Sequence, residues 1–489
     1  IEVFSASQTP PFLIEDDIDT SETVRLKYRY LDLRRKVLQD NFILRAQLAQ
    51  TIRNYLSGED FLEIETPVLI KNTPGGARNF LVPSRLHPKQ FYALAESPQL
   101  FKQLFMVSGF DRYFQVVRCF RDEDLRGDRQ PEFTQIDLEM SFPTEERIYA
   151  LMEGLVCNIF KQALNIELTT PFQRMPYHEA VANYGTDKPD LRYDLKLADI
   201  SDLCGETGFR VFDGAVKKGG LVKVLRLPEA TDKLSRKDLD GLTDLVKPVG
   251  GKGVAYARVQ DDLSWQAPFA KMISDDVVKH VNDRSKAAPG DVLLFSADTA
   301  SIVNNSLSLL RSNMASRFGL IEDNTWKPLW VTEFPLFEKS EESGEWAACH
   351  HPFTSPVAED VDKLLNDDKS GIRARAYDLV LNGVELAGGS IRIHDSETQA
   401  KVFTALGISR EEANEKFSFL LDAFKFGPPP HGGIAMGFDR LIMLLRGVDS
   451  LRDVIAFPKT QRGTCGMTGA PSDATSAHLK ELSITPNTQ

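Results

Sequence analysis

The sequence predicts an α+β fold, an antiparallel sheet with helices laid against it, and three stretches predict it. Arg112–Arg121 is rich in aromatic and β-branched residues, and Glu132–Phe142 alternates strictly; the charged Asp122–Pro131 between them reads as a loop, so the whole reads as a β-hairpin. Leu44, Leu48, Ile52 and Leu56 recur every four residues, the stripe of an amphipathic helix. Asn382-Gly383, set between apolar runs, is the signature of a second hairpin with a two-residue turn.

In chain order, Ile1–Thr23 reads as the end of one domain and a linker, and Arg25–Leu56 as a helix ended by Ser57-Gly58. Phe61–Pro67 reads as a strand closed by proline, and Thr73–Arg78 as a turn-rich loop. Pro98 suits the first turn of a helix on which Gln99 and Lys102 share a face. In the hairpin strand, Thr134, Ile136, Leu138, Met140 and Phe142 face one way, and Phe133, Gln135, Asp137, Glu139 and Ser141 the other. A ring on that polar face can stack a base, and Arg118 or Arg121 beside the turn can clamp a phosphate: the outline of a nucleotide floor.

A helix follows Phe142, and Leu191–Asp323 alternates strand and helix without a catalytic constellation. Lys327–Phe337 reads as one buried strand. His350-His351 has no third His or Cys at ligand spacing, which argues against zinc. Across the Asn382-Gly383 turn, Asp378 and Glu385 fall diagonally on one face, about 7–8 Å apart, a pair suited to a hard divalent ion. A bulge at Gly388-Gly389 is expected to turn Arg392 into the same site. Pro428–Arg440 reads as a glycine-bearing strand entering a helix that begins with Arg, and Phe457–Gln489 as an irregular tail without assignable chemistry.

The chain has 489 residues, too many for one core, so two or three domains are expected. A net charge of −12 excludes a general nucleic-acid binder and leaves RNA contact to local clusters: Arg25, Lys27, Arg29, Arg34, Arg35 and Lys36, with Arg126 and Arg129 at the hairpin tip. Five scattered cysteines fit a reducing compartment, no apolar run is long enough to span a membrane, and no signal peptide is visible. The start at Ile1 reads as that of a fragment, or of a chain lacking a disordered beginning.

FRDEDLRGDRQPEFTQID resembles motif 2 of the class II aminoacyl-tRNA synthetases, in the wording of the bacterial-type aspartyl-tRNA synthetases. RLKYRYLDLRR (Arg25–Arg35) and GGIAMGFDRL (Gly432–Leu441) resemble the same family, so the likeness runs from about Arg25 to the end. It implies a homodimeric ATP-dependent ligase of L-aspartate and tRNA(Asp), with motif 1 at the dimer interface, cytoplasmic or else in an organelle matrix. It implies the limits 1–24 for the end of an anticodon-binding domain and linker, 25–190 and 324–489 for the two parts of an antiparallel catalytic domain, and 191–323 for an inserted α+β domain.

The resemblance also implies the site. Aspartate would meet Ser97, Gln99, Lys102, Arg121, Asp137, His350 and Arg392. ATP would meet Arg121, Asp122, Glu123, Gln130, Phe133, Glu385, Gly437, Phe438, Asp439 and Arg440. Mg2+ would sit on Asp378 and Glu385, and tRNA on Arg126 and Arg129. The chain departs from the family at Gly75, where most bacterial members place a glutamate on the substrate ammonium; that contact is then missing or supplied elsewhere. The alternatives are a ligase charging both tRNA(Asp) and tRNA(Asn), an asparaginyl-tRNA synthetase, a tRNA-independent aspartate-adenylating ligase, and a non-catalytic tRNA-binding paralogue.

Overall fold

The computed structural model describes residues 2–73, 78–125, 127–340 and 344–485. Gly75 and Arg126 lie outside the described residues. Contacts divide the chain into two compact units: Ile1–Pro171 with Pro335–Ala376 and Leu386–Gln489, and Phe172–Phe334 with Tyr377–Glu385. The fold is α+β.

The first unit is built on a ladder of strands in the order Leu62–Glu63, Arg112–Phe120, Glu132–Ser141, His431–Gly437 and the second half of Val384–Ile391. All its pairings are antiparallel except the first. The expected hairpin forms, with Phe120 opposite Glu132 and Arg112 opposite Met140. Its polar face is not a solvated one: Asp137 and Glu139 are as buried as Ile136 and Leu138 on the apolar face. Burying carboxylates requires partners, so that face must be lined with cations. The alternation ends at Ser141; Phe142 leaves the strand with φ +53° and is exposed rather than packed.

The expected helix over Arg25–Leu56 is three pieces: Glu22–Lys27, Arg29–Asp32 and Lys36–Gly58. The breaks serve a knot of charge. Asp32, fully buried, takes Arg29 at 2.7 Å and Arg35 at 2.9 Å, with Arg25 at 3.9 Å. The remaining donors of Arg29 go to the carbonyls of Arg452, Ile455 and Ala456, and those of Arg35 to Glu15 and Asp16. Arg29 and Arg35, read above as candidates for RNA contact, are therefore buried and committed to the protein's own backbone. In the long helix Leu48, Ile52 and Leu56 are buried as the stripe requires, while Leu44 is half-buried. The strand expected over Phe61–Pro67 pairs only at Leu62–Glu63.

The bulge expected at Gly388-Gly389 does not form. Ala387 to Ile391 pair one for one with Met436 to Gly432, and the Arg392 backbone N–H continues the ladder to His431 O at 2.9 Å. Arg392 simply shares the phase of Gly388 and Ser390. The glycine that the site requires is on the neighbouring strand: a Cβ on Gly433 would lie 2.1 Å from Glu139 Oε2 and from Leu138 O.

In the second unit a five-stranded antiparallel sheet runs in the order Trp265–Gln266, Ala255–Val259, Val292–Asp298, Leu221–Leu227, Leu197–Asp199. Its residues alternate between two cores. Leu225, Leu227, Val292 and Leu294 pack with Leu239, Leu242, Leu307 and Leu310 of the helices; Val222, Val224, Leu293 and Phe295 pack with Phe212, Trp265 and Phe269. A separate set pairs Gln173–Pro176 parallel and Ala376–Leu381 antiparallel to Pro328–Thr332. Asn382 and Gly383 have φ +52° and +83°, the two left-handed residues that a tight hairpin turn of this kind requires. The single strand expected over Lys327–Phe337 stops at Thr332; Glu333 takes φ +55°, and a new strand begins at Phe337.

No helix among the described residues is long and apolar enough to cross a membrane.

Candidate active site

The strand phase and the helix Gln99–Val107 bring four charged side chains of the first unit into one buried cluster. Lys102 Nζ lies 3.0 Å from Asp137 Oδ2 and 3.2 Å from Glu139 Oε2. Arg392 grips Glu139 with two bonds, Nε to Oε1 at 2.9 Å and Nη2 to Oε2 at 3.0 Å. All four are at most 2% exposed. Lys102 is thus no solvated helix residue, and the cluster holds two cations and two carboxylates, formally balanced. Glu139, Gly433 and Ser390 are cross-strand neighbours in one row, and the bare Gly433 leaves room for the Glu139 carboxylate. Ser390 Oγ accepts from Arg392 Nη1 at 2.6 Å.

The two carboxylates differ. Burial pushes both up, but Glu139 faces Arg392 and Lys102 together and ends below the usual range. Asp137 is raised to about 6, because burial and the nearby Glu139 outweigh its one close cation, Lys102. Asp137 Oδ1 has no hydrogen-bond partner among the described residues, and neither do the buried Gln99 Nε2 and Arg121 Nε. An acceptor and two donors, buried without partners, are the complement of a ligand carrying both an ammonium and anionic groups.

Sequence reading missed Glu139 and His351. His351 Nε2 meets Arg392 Nη1 at 2.8 Å; since a guanidinium only donates, the ring accepts there. Burial, then Arg392, holds its pKa well below the usual histidine range. His350, the residue carried over from the family, is half-buried beside it. The alternation already placed Glu139 on the face of Asp137, which was the available signal; nothing local pointed to His351. His431, fully buried, lies with Nδ1 2.8 Å from Pro429 O and Nε2 3.1 Å from Gln103 Oε1, on the helix of Gln99 and Lys102.

Along the hairpin, the Arg121 guanidinium lies over the Phe133 ring, 5.1 Å from its centre, so the expected ring and clamp are adjacent. Ser97 and Arg121 are half-buried. Other expected nucleotide residues are engaged elsewhere. Gln130 uses both ends of its amide on the Lys459 backbone, at 3.0 and 2.8 Å, and Lys459 Nζ meets Glu132 at 2.6 Å, so the tail read as featureless anchors the loop. Asp439, buried, accepts from Arg45 at 2.5 Å and from the Thr134 backbone N–H at 2.7 Å. The Gln130 amide and the Asp439 carboxylate thus both have protein partners. Asp122 pairs with Arg78 at 3.0 Å, and Glu123 lies 3.6 Å from Arg129, which is exposed. The strand His431–Gly437 ends at Gly437, and the helix Phe438–Arg446 carries Arg440 in its first turn.

In the second unit Asp378 is buried with its carboxyl pushed well above the usual range, first by burial, then by Glu385 and Asp187, against the opposing Lys188. Like charges held this close favour a cation between them. Among the described residues no group of three or more His, Cys, Asp or Glu is placed to hold a metal ion, so this pair would need further ligands from a substrate or water.

Residues 21–461 match the family model of the tRNA synthetases class II (D, K and N). The chain belongs to that family. Among similar proteins, the aspartate–tRNA(Asp/Asn) ligase of Syntrophotalea carbinolica is 53% identical over 99% of this chain and 81% of its own length. The aspartate–tRNA ligase of Macrococcus caseolyticus is 53% identical over 100% of this chain and 82% of its own. The aspartate–tRNA(Asp/Asn) ligase of Oleidesulfovibrio alaskensis is 54% identical over 99% and 78%. Of the buried cluster and its unpartnered polar atoms, Arg121, Asp137 and Glu139 lie in the hairpin Arg112–Ser141, Gln99 and Lys102 on the helix Gln99–Val107, and Arg392 just after the strand Val384–Ile391.

Proposed function

We propose that this synthetase is an aspartate–tRNA ligase. The aspartate α-carboxylate attacks the ATP α-phosphorus, forming a new P–O bond as pyrophosphate leaves. The terminal ribose hydroxyl of tRNA then attacks the acyl carbon, and AMP leaves. Neither step needs much besides alignment and charge neutralisation. The observation that carries the reading is the Lys102–Asp137–Glu139–Arg392 cluster, with Gln99 Nε2, Arg121 Nε and Asp137 Oδ1 that have no partner among the described residues. Lys102 and Arg392 receive the side-chain carboxylate; Asp137, with Ser97 and Gln99, receives the ammonium, a load made heavier by Gly75. Arg121 holds the α-carboxylate and α-phosphate.

Phe133 stacks the adenine, and Arg440 holds the γ-phosphate. Asp378 and Glu385 fit Mg2+, which supplies charge neutralisation on the phosphates; the mutual repulsion felt at Asp378 supports this. Exposed Arg129 contacts tRNA. A homodimer is supported by the exposed apolar side chains Leu62, Leu69 and Leu81 in the stretch after the long helix. The compartment proposed is the cytoplasm.

The deciding measurement is ATP–pyrophosphate exchange with aspartate and with asparagine, followed by charging of tRNA(Asp) and tRNA(Asn). Exchange with aspartate alone is expected; equal exchange with both would overturn the reading in favour of an asparaginyl enzyme. Relatives at nearly the same identity carry both the Asp and the Asp/Asn names, which keeps dual charging as a second reading; charging of tRNA(Asn) decides it.

A further inference from the structure

The two nucleotide grips proposed above, Phe133 and Arg440, belong to segments far apart in sequence, yet the residue beside each is tied to the other. The Thr134 backbone N–H donates to Asp439 Oδ2 at 2.7 Å across 305 residues of chain. A third segment closes the tie. Arg45, on the helix Lys36–Gly58, donates from Nη1 to Asp439 Oδ1 at 2.5 Å and from Nη2 to Thr134 Oγ1 at 3.1 Å. Its guanidinium carbon lies 4.6 Å from the centre of the Phe438 ring. Thr134, Phe438 and Asp439 are buried, and Arg45 is half-buried.

We propose that Arg45 is a positioning residue for ATP: with Asp439 it fixes the spacing between Phe133 and Arg440, and so between the adenine floor and the γ-phosphate grip. The proposal rests on the ATP roles given to those two residues above. Strand alternation puts Thr134 on the face opposite Phe133, so a bond made there sets the ring without touching the ligand. Asp439 and Arg440 are one step, about 100°, apart on the first helical turn, so one can turn inward while the other faces outward. The planar fork of arginine is what the place requires. One group reaches a carboxylate and a hydroxyl on two segments and lies over a ring; a lysine ammonium, a point charge, reaches one of them. The aspartate cluster is anchored separately, by Lys102 and Arg392.

The test is full-length Arg45→Met, Arg45→Lys and Asp439→Asn in aspartate-dependent pyrophosphate exchange, with ATP binding alone measured by calorimetry. The ATP KM should rise on the order of tenfold to a hundredfold while the aspartate KM stays within about twofold of the parent. Arg45→Met combined with Asp439→Asn should be no worse than the worse single variant, because both cut one knot. A folded Arg45→Met with an unchanged ATP KM, or one in which both KM values climb together, overturns the proposal. Should thermal unfolding show that Arg45→Met does not fold, Arg45→Lys takes its place: a rise in the ATP KM alone supports the proposal, and an unchanged ATP KM or a joint rise overturns it. A parent protein without aspartate-dependent exchange would refute the proposed function instead, and calorimetric ATP affinity would then decide on Arg45 alone.

Discussion

Asp137 and Glu139 in the first unit, and Asp378 and Glu385 in the second, are neighbouring carboxylates in opposite surroundings. The first pair is interleaved with Lys102 and Arg392 at 2.9–3.2 Å. In the second pair, Asp378 feels Asp187 as well as Glu385, against Lys188. Glu139 accordingly falls below the usual carboxylate range, while Asp378 rises well above it. A grouping that carries its own counter-charge stands ready for a zwitterion, which can exchange one ion pair for another. Like charge beside a buried carboxyl favours its protonated form, or a cation between the two carboxylates.

The comparison breaks most sharply at Arg392. Arg392→Leu leaves Glu139 buried with Lys102 alone, and Lys102 is already shared with Asp137. Losing one partner of a buried pair costs on the order of 3–5 kcal/mol, so kcat/KM for aspartate should fall roughly a thousandfold. Calorimetric ATP binding should hardly move. A variant that keeps its preference for aspartate over asparagine in exchange would show that the balanced cluster does not select the substrate.

Next in size is the unbalanced pair. Glu385→Gln removes the Glu385 part of the repulsion along with half the proposed ligand set, so the Mg2+ concentration needed for exchange should rise about 10–100-fold. The sign of the pH effect follows from Asp378. Its folded pKa is raised, so as pH climbs from the unfolded value near 4 toward the folded one, the unfolded chain loses the proton first and stability falls. Mg2+ should therefore raise the melting temperature at pH 8, less so at pH 5.5, and least in Glu385→Gln. A Mg2+ increment equal in parent and variant would remove the pair from the metal site.

The smallest effect sharpens the balanced side. Asp137, raised to about 6, is a full acceptor for an ammonium only above that pH. Aspartate kcat/KM should fall as pH drops through about 6, approaching tenfold per unit, while the ATP KM stays level. Asp137→Asn should bind aspartate less well and lose this inflection. If the inflection survives in Asp137→Asn, another group carries it.

Much of the fold was legible because its signals are local. Alternation marked Glu132–Ser141, and Asn382-Gly383 marked a turn whose two positive φ values those residue types tolerate. The motifs led to Lys102, Asp137 and Arg392, but not to what holds them. Arg392 pairs with Glu139 across 253 residues, and Arg45 with Asp439 across 394; no spacing along the chain encodes such cross-strand and helix-to-helix partners. The bulge at Gly388-Gly389 was a wrong inference of the same kind: it was invoked to bring Arg392 inward, when the regular ladder and a missing Cβ at Gly433 suffice. The motif resemblance named Gln130 and Asp439, and only the packing shows the protein groups that both engage.

The Arg29–Asp32–Arg35 knot bears on how the molecule is made. Arg29 is buried against the carbonyl of Ala456, 427 residues later in the chain. At a synthesis rate of roughly 5–20 residues per second, the ribosome needs tens of seconds to deliver that carbonyl after Arg29 has emerged. Until then the carbonyl acceptors that Arg29 takes in the folded chain do not exist, and its buried site cannot be completed. The first unit is begun early and closed late: its opening segment takes its final place only once almost the whole chain has been made.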